Sequence, residues 1–277
     1  MIARQELIHQ IKTKKSFLCV GLDPDIEKIP EFLKDNADPI FEFNKQIIDA
    51  TQDLCVAYKP NSAFYESRGI KGWQSLISTW KHLPTDCLNI IDAKRGDMGN
   101  TSQMYAKAFF DESASGMSFD AITVSPYMGH DAIEPYLGYA GKWVVLLVLT
   151  SSAGSKDFQY LNTDKGLLYE AVIQKANQWA GADRIMFVVG ATKSTEFTSI
   201  RKFAPDNFLL VPGIGAQGGN LSEVCRYGLN KDCGILVNAS RSIIYASNGK
   251  DFAEAARAEA LNLQQLMHVE LEKAEII

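Results

Sequence analysis

The fold is decided by one stretch of the sequence, Leu88-Asn89-Ile90-Ile91-Asp92-Ala93-Lys94-Arg95-Gly96-Asp97-Met98-Gly99-Asn100-Thr101. It begins as a short apolar run, typical of a buried strand, and then changes abruptly to ionisable residues and glycines. Successive side chains of an extended backbone point to opposite faces, so Asp92 and Lys94 are predicted to point the same way. Gly96 and Gly99 are expected to let the chain turn, so that Asp97 returns toward this pair or toward that of another subunit. The pattern predicts a carboxylate–ammonium–carboxylate array at the mouth of a strand, although a solvated network of structural ion pairs fits it equally well.

A strand followed by a helix repeats along the chain on both sides of this stretch. Strands are predicted at 16–22, 55–58, from 88 onward, and at 121–124, 143–149, 185–189, 208–211 and 234–237. Helices are predicted at 41–54, around 73–80, and at 102–110, 131–139, 167–180, 195–203, 221–227 and about 252–269. Several strands are continuous apolar runs, which is typical of parallel strands covered on both faces. Eight such units predict the α/β class and a single closed (β/α)8 TIM barrel more readily than an open sheet.

Length and composition agree with one soluble domain. The chain has 277 residues, close to the roughly 250 typical of such barrels. No low-complexity linker divides it, so residues 1–277 are expected to form one catalytic domain. The net charge of −5 argues against nucleic-acid binding, and an anionic substrate therefore needs a local binding site.

Cysteine usage and hydropathy predict a cytoplasmic protein. The five cysteines are odd in number and lack C-x-x-C spacing, as is usual for reduced thiols. The longest apolar runs are too short to cross a bilayer, and the start lacks the apolar region of a signal peptide. The four histidines are scattered without metal-ligand spacing. We therefore expect no metal site and no membrane or nucleic-acid partner.

Polar residues follow the predicted strands at one end. Because the carboxyl ends of parallel strands meet at one face of a barrel, these residues are expected to lie together, at the face where such barrels keep their active sites. They are Asp23, Lys59, Asp92, Lys94, Ser151, Gly213 and Arg241.

A glycine-rich loop at 211–220 follows the seventh predicted strand and matches the dinucleotide pattern G-x-G-x-x-G. We reject a dinucleotide site, because that fingerprint normally opens the first unit of a doubly wound domain. Glycine N–H groups and a helix start capped by Asn220, with Glu223 three residues on, instead suit an anion. Arg241, after the eighth strand, offers bidentate hydrogen bonds to phosphate. A phosphorylated small molecule is predicted, the alternative being a glycine-rich turn beside an incidental surface arginine.

Several motifs resemble one known family. Asp92-Ala93-Lys94-Arg95-Gly96-Asp97 fits the D-x-K-x-x-D motif of orotidine 5'-phosphate decarboxylases. Tyr58-Lys59-Pro60-Asn61, the loop 213–219 and Ala239-Ser240-Arg241 are also similar to that family, in its longer bacterial branch. The similarity runs in the family's order from about Phe17 to Tyr245.

The resemblance implies cofactor-independent decarboxylation of orotidine 5'-phosphate to UMP, the last step of de novo pyrimidine nucleotide biosynthesis, without a metal. Loss of carbon dioxide leaves electron density on carbon 6, and no carbonyl is positioned to delocalise it. A fixed ammonium, here Lys94, can stabilise that charge and deliver the proton. Asp92 is expected to orient Lys94 and Lys59 and to keep both protonated.

The resemblance also implies which residues contact the substrate. Asp23 and Lys59 are expected to hold ribose hydroxyls, and Ser151 the edge of the pyrimidine. Asp97 and Thr101 are expected to serve the neighbouring subunit's site, so a homodimer with shared active sites is implied. The expected phosphate ligands are Gly215, Gln217, Gly218 and Arg241.

Two other functions fit parts of the pattern. A magnesium-dependent sugar-phosphate decarboxylase or synthase on the same barrel shares the D-x-K-x-x-D block but needs added carboxylates. The nearest such acid, Glu66, lies a few residues too far beyond the second strand. A non-catalytic phospho-metabolite binding protein is the third possibility, and it leaves the retention of so many charges unexplained.

Overall fold

Eight parallel strands close into a barrel in the computed structural model, which describes residues 2–214 and 218–277, without the side chain of residue 194. The barrel strands are β1 Leu18–Leu22, β2 Ala57–Pro60, β3 Leu88–Arg95, β4 Ala121–Val124, β5 Trp143–Leu149, β8 Ile185–Val189, β9 Leu209–Pro212 and β10 Ile235–Ala239; β6 Asn162–Thr163 and β7 Gly166–Leu167 form a hairpin outside the barrel. Going round the barrel, the strand order is β1-β2-β3-β4-β5-β8-β9-β10, with β10 pairing β1. The predicted (β/α)8 barrel is therefore confirmed.

Helices follow the strands and cover the barrel. The α-helices are α1 Arg4–Lys14, α2 Pro39–Thr51, α3 Ser62–Glu66, α4 Gly69–His82, α5 Gly99–Phe110, α6 Glu112–Ser115, α7 Glu134–Leu137, α8 Ser155–Phe158, α9 Leu168–Ala176, α10 Phe197–Phe203, α11 Leu221–Gly228, α12 Arg241–Ile244 and α13 Phe252–Lys273. Short 3-10 helices are present at Glu31–Leu33, His130–Ala132 and Ala191–Glu196. Strands β1, β4, β8 and β10 are buried along their whole length, because side chains fill the barrel on one face and helices cover the other. No described helix is long and apolar enough to cross a membrane.

Some element boundaries differ from the predictions. β2 and β3 extend further than expected, so Lys59, Asp92 and Lys94 lie within strands and not after them. The helix predicted at 131–139 is a 3-10 turn followed by the four-residue α7. The helix predicted at 102–110 begins three residues earlier, which places Thr101 within the first turn of α5.

Several elements were not predicted, among them the short helices α3, α6, α8 and α12, helix α1 and a hairpin. Helix α1 buries Leu7, Ile8 and Ile11. The segment before it is also fixed, because the indole Nε1 of Trp143 on β5 donates to the carbonyl of Ile2 at 2.9 Å. A two-stranded antiparallel hairpin, β6 Asn162–Thr163 and β7 Gly166–Leu167, lies between β5 and α9, outside the barrel.

Candidate active site

Lys59, Asp92 and Lys94 form a continuous charge array at the carboxyl ends of β2 and β3. Lys59 Nζ lies 2.9 Å from Asp92 Oδ2, and Lys94 Nζ lies 2.6 Å from Asp92 Oδ1. The side chains of Lys59 and Asp92 are 5% and 10% exposed, whereas that of Lys94 is 50% exposed. The array therefore has a buried end at Lys59 and an accessible ammonium at Lys94. The prediction that Asp92 and Lys94 lie together on one face is confirmed.

The mutual attraction of these charges outweighs their burial. Burial alone raises the pKa of Asp92, but Lys59 and then Lys94 hold that pKa far below its usual range. Burial lowers the pKa of Lys59, but Asp92 and then Asp23 raise it well above the ordinary lysine value. The carboxylate of Asp92 and the ammonium of Lys59 are therefore both ionised across the physiological pH range.

The backbone at Lys94 leaves the regular strand. Lys94 has φ +46°, in the left-handed region that a residue with a side chain rarely adopts. The β3–β4 pairing shifts register between Ile91 and Arg95. Ile91 pairs with Ile122 and Arg95 with Val124, so an advance of four residues on β3 corresponds to only two residues on β4. Asp92 and Lys94 share a face as expected. The irregular end of the strand, and not the simple alternation of side chains, brings them together. Backbone strain of this kind is typical of functional sites.

Gly96 and Gly99 do not provide the turn that we expected of them. Neither has a positive φ, and the left-handed residue of this segment is Lys94. Gly96 is needed for a close approach, because a Cβ there would lie 2.9 Å from the carbonyl oxygen of Ser125. Gly99 is the first residue of α5.

Thr123 on β4 also contacts the array, and the sequence analysis did not find it. Its hydroxyl donates to Asp92 Oδ1 at 2.8 Å and accepts from the backbone N–H of Lys94 at 2.9 Å. The only sequence signal was a polar residue inside an apolar strand.

Asp23 is held at the mouth of β1 by residues that follow β10. Ser240 Oγ donates to Asp23 Oδ2 at 2.8 Å, and the hydroxyl of Tyr245 donates to the Asp23 carbonyl at 3.0 Å. The other carboxylate oxygen, Oδ1, is buried and has no hydrogen-bond partner among the described residues. The charge of Asp23 also acts on Lys59, so the two predicted ribose-binding residues lie in one site.

Part of the predicted phosphate site lies within the described residues. Gly218 has φ +82°, and no described residue other than its chain neighbours lies within 4 Å of the position that a Cβ would occupy there. Gly219 N–H donates to the carbonyl of Gly213 at 3.1 Å, and Asn220 Oδ1 accepts from the backbone N–H of Glu223 at 3.3 Å, which confirms the predicted cap of α11. Arg241 is exposed and makes no ion pair with a described residue. Gly215 and Gln217 lie outside the described residues.

The remaining predicted site residues lie at the edges of this face. Ser151 is half-buried, two residues beyond the end of β5. Asp97 makes no ion pair within residues 2–214 and 218–277, and its Oδ1 accepts only from the N–H of Met98, at 2.7 Å. Thr101 is exposed on α5. The structure therefore does not bring Asp97 or Thr101 to the Lys59–Asp92–Lys94 array of the same chain.

Large apolar side chains are exposed on helix α5, at the residue before it, and in the loop after β4. Met98, Met104 and Tyr127 are 62%, 58% and 87% exposed, and Met128 is also exposed. Exposed apolar side chains near a polar loop are typical of protein–protein contact surfaces.

A cavity of about 950 Å³ lies beside β5, between the loop that follows β4 and helix α9. Tyr127, Leu147, Val172 and Trp179 supply much of its apolar wall. None of the predicted site residues lines it, so it is separate from the charge array.

The described residues contain no group of three or more His, Cys, Asp or Glu that could hold a metal ion. Glu66, the nearest extra carboxylate in the sequence, forms an ion pair with the guanidinium of Arg95. The same guanidinium stacks 5.2 Å from the ring of Tyr105. Glu66 is thus committed to fixing the end of β3.

A closed barrel with charged side chains at the carboxyl ends of its strands is typical of the class of (β/α)8 barrel enzymes. Within that class, the chain belongs to the orotidine 5'-phosphate decarboxylase / HUMPS family, whose model matches residues 16–257. The resemblance stated above is confirmed.

Individual relatives agree with this assignment. Orotidine 5'-phosphate decarboxylase of Flavobacterium johnsoniae is 58% identical over 266 residues, which cover 95% of this chain and 96% of the relative. The corresponding protein of Bacteroides fragilis is 54% identical, with 97% and 98% covered. Among solved structures, OMP decarboxylase of Leishmania donovani superposes with a TM-score of 0.81 at 34% identity, covering 97% of this chain and 100% of that one.

Proposed function

We propose that this protein decarboxylates orotidine 5'-phosphate to UMP without a metal or organic cofactor, as the last step of de novo pyrimidine nucleotide biosynthesis. The observation that carries the proposal is the Lys59–Asp92–Lys94 array, with its one accessible ammonium held 2.6 Å from a buried carboxylate. The names of the relatives, at more than half identity over nearly the whole chain, supply the substrate. Residues 1–277 would form one catalytic domain.

The reaction needs charge stabilisation at one ring atom. The bond between carbon 6 and the carboxylate breaks, carbon dioxide leaves, and the electron pair stays on carbon 6. The ammonium of Lys94 stabilises that pair and then donates a proton to carbon 6, and water returns the proton to the lysine. A fixed charge of this kind needs no reorganisation during the reaction, so it lowers the barrier more than a mobile solvent does.

Asp92 and Lys59 have supporting roles in this mechanism. Asp92 holds the Lys94 ammonium in place and favours its charged form. The negative charge of Asp92 lies near the carboxylate that leaves the substrate. Asp92 therefore repels the bound substrate, but it does not repel the product, which has lost that carboxylate. Lys59 compensates the buried Asp92 and, with Asp23, is placed to bind the ribose hydroxyls. Asp23 Oδ1, which has no hydrogen-bond partner among residues 2–214 and 218–277, is an acceptor suited to such a hydroxyl.

The phosphate is proposed to bind between the loop after β9 and Arg241, with ligands Gly215, Gln217, Gly218 and Arg241. The guanidinium of Arg241 is exposed and forms no ion pair with a described residue, and no described residue other than the chain neighbours lies within 4 Å of the Cβ position at Gly218; both observations support this position. Binding energy from this remote group can be used to orient the pyrimidine against Lys94. Ser151 is proposed to contact the pyrimidine edge.

A homodimer with shared sites is proposed, in which Asp97 and Thr101 complete the partner's site. Two observations support it. Within the described residues Asp97 has no cationic partner of its own chain, and the next residue, Met98, exposes 62% of its apolar side chain.

The direct test is to incubate the protein with orotidine 5'-phosphate and EDTA and to follow the loss of the substrate's ultraviolet absorbance. We expect turnover at the same rate with and without the chelator, and none with Lys94→Ala. Turnover that stops in EDTA and returns with Mg²⁺ would instead support the sugar-phosphate branch of the family. Tight binding of UMP by both proteins without any turnover would support a binding protein.

A further inference from the structure

Thr123 closes a ring of hydrogen bonds around Lys94. The ring runs from Thr123 Oγ1 to the Lys94 backbone N–H at 2.9 Å, along the lysine side chain to Nζ, to Asp92 Oδ1 at 2.6 Å, and back to Thr123 Oγ1 at 2.8 Å. A threonine hydroxyl has one hydrogen to donate and lone pairs to accept with. The Thr123 hydroxyl donates its hydrogen to the Asp92 carboxylate and accepts a hydrogen bond from the backbone N–H of Lys94.

The irregular end of β3 explains why this hydroxyl is needed. The register shift between Ile91 and Arg95 takes the Lys94 N–H out of the β3–β4 ladder, so this N–H needs an acceptor other than a carbonyl oxygen of β4. Thr123 is 1% exposed and supplies that acceptor from a strand position directly facing the shift. It thereby stabilises the left-handed conformation of Lys94, φ +46°, which is otherwise unfavourable.

Both ends of the Lys94 side chain therefore depend on Thr123. The hydroxyl fixes the backbone from which the side chain starts and the carboxylate at which its ammonium ends. We infer that Thr123 is a positioning residue for the proposed decarboxylation, setting the location of the Lys94 ammonium without touching the substrate. This inference rests on the proposed function and extends it by one residue.

The test compares Thr123→Val, which keeps the branched shape but has no hydroxyl, with Thr123→Ser, which keeps the hydroxyl. We expect Thr123→Val to lower kcat by about a hundredfold, as expected for a displaced reactive group. KM and the Kd for UMP should change by less than about threefold, because the ground-state contacts of ribose and phosphate remain. Thr123→Ser should restore kcat to within about threefold of wild type.

Thr51→Val is the matched control. Thr51 is also fully buried, and its hydroxyl donates to the carbonyl of Ile47 at 2.8 Å, on helix α2 outside the barrel. We expect this variant to lose a similar amount of stability and to keep its kcat. Unchanged kcat in folded Thr123→Val, or an equal fall in Thr51→Val, would overturn the inference.

Amide hydrogen exchange gives a readout that does not depend on turnover. In Thr123→Val the Lys94 N–H should exchange faster by at least about tenfold, while its neighbours on β3 stay protected. Equal protection in both proteins overturns the inference. A wild-type protein without decarboxylase activity overturns the proposed function, and exchange at Lys94 still decides whether Thr123 sets its backbone.

Discussion

The Nζ atom of Lys94 lies 2.6 Å from Oδ1 of Asp92, two residues away on the same strand. The shared face follows from the sequence spacing, but the short distance depends on the left-handed backbone at Lys94. A regular strand would carry the two side chains in parallel toward solvent. The irregular end brings the ammonium back over the carboxylate and leaves it half exposed to a ligand.

Lys94→Ala should reduce kcat by at least about a thousandfold, or ~4 kcal/mol of transition-state stabilisation, because the ammonium is proposed to act on charge that develops only in the reaction. The fold should persist, since the Lys94 side chain is half exposed. Steady-state kinetics and a thermal melt measure both effects. Lys71→Ala, at an exposed position on α4, is the control and should behave as wild type. Near-normal turnover of Lys94→Ala would contradict the mechanism.

Asp92→Asn should lower the free energy of unfolding at neutral pH by about 3 kcal/mol or more, because it leaves the Lys59 ammonium buried without its carboxylate. Urea unfolding at pH 7 measures the loss. The control variant is Asp35→Asn, because Asp35 is exposed and forms no ion pair with a described residue. It should change the free energy of unfolding by less than about 0.5 kcal/mol.

The same variant has a predictable pH dependence. The pKa of Asp92 is lower in the folded protein than in the unfolded chain, so its contribution to stability is complete above about pH 5 and is lost as pH falls toward the folded-state value. The stability difference between wild type and Asp92→Asn should therefore narrow by about 1 kcal/mol between pH 6 and pH 3. A difference that stays constant over this range would mean that Asp92 is not held ionised by its lysines.

Arg241→Ala should weaken UMP binding by about ten- to a hundredfold and leave uridine binding unchanged, because the guanidinium is proposed to contact only the phosphate. Calorimetric titration of both ligands measures the two constants. Arg241→Lys keeps the charge but not the bidentate geometry, so an intermediate UMP affinity is expected. Equal losses for UMP and uridine would show that Arg241 has a structural role.

Mixing two inactive proteins tests the shared site. Lys94→Ala and Asp97→Ala homodimers should each be inactive, because each lacks a needed charge in both sites. In a mixed dimer, one site carries both changes and the other carries neither. After joint refolding at equal amounts, about half the dimers are mixed, so activity should return to about a quarter of wild type. If mixed dimers form and activity stays absent, Asp97 serves its own chain.

The sequence was sufficient for the barrel and for most of the charged site. The alternation of short apolar runs with segments of helical periodicity located all eight strands. Parallel strands that are buried on both faces are continuously apolar, and this pattern is easy to recognise in a sequence. Helix α1 is not among the predicted helices, although its buried residues Leu7, Ile8 and Ile11 have helical spacing.

Contacts that depend on strand register could not be predicted. Thr123 is 31 residues from Asp92, and Ser240 is 217 residues from Asp23, so only the closed barrel shows that they meet. The bulge at Lys94 was equally hidden, because no glycine marks the left-handed residue. Motif spacing identifies the charged groups of such a site, whereas the neutral groups that orient them depend on the fold.

The carboxylate of Asp92 accepts hydrogen bonds from Lys59, Lys94 and Thr123 at once. Substitutions at these positions should therefore be strongly non-additive, since each removes a partner on which the others depend. A single substitution that removes one of these charges or the hydroxyl should therefore cost either stability or activity, whereas a change that keeps the bonding group, such as Thr123→Ser, should be tolerated. The chemical groups at these four positions should consequently be retained, even where the residue type at position 123 changes.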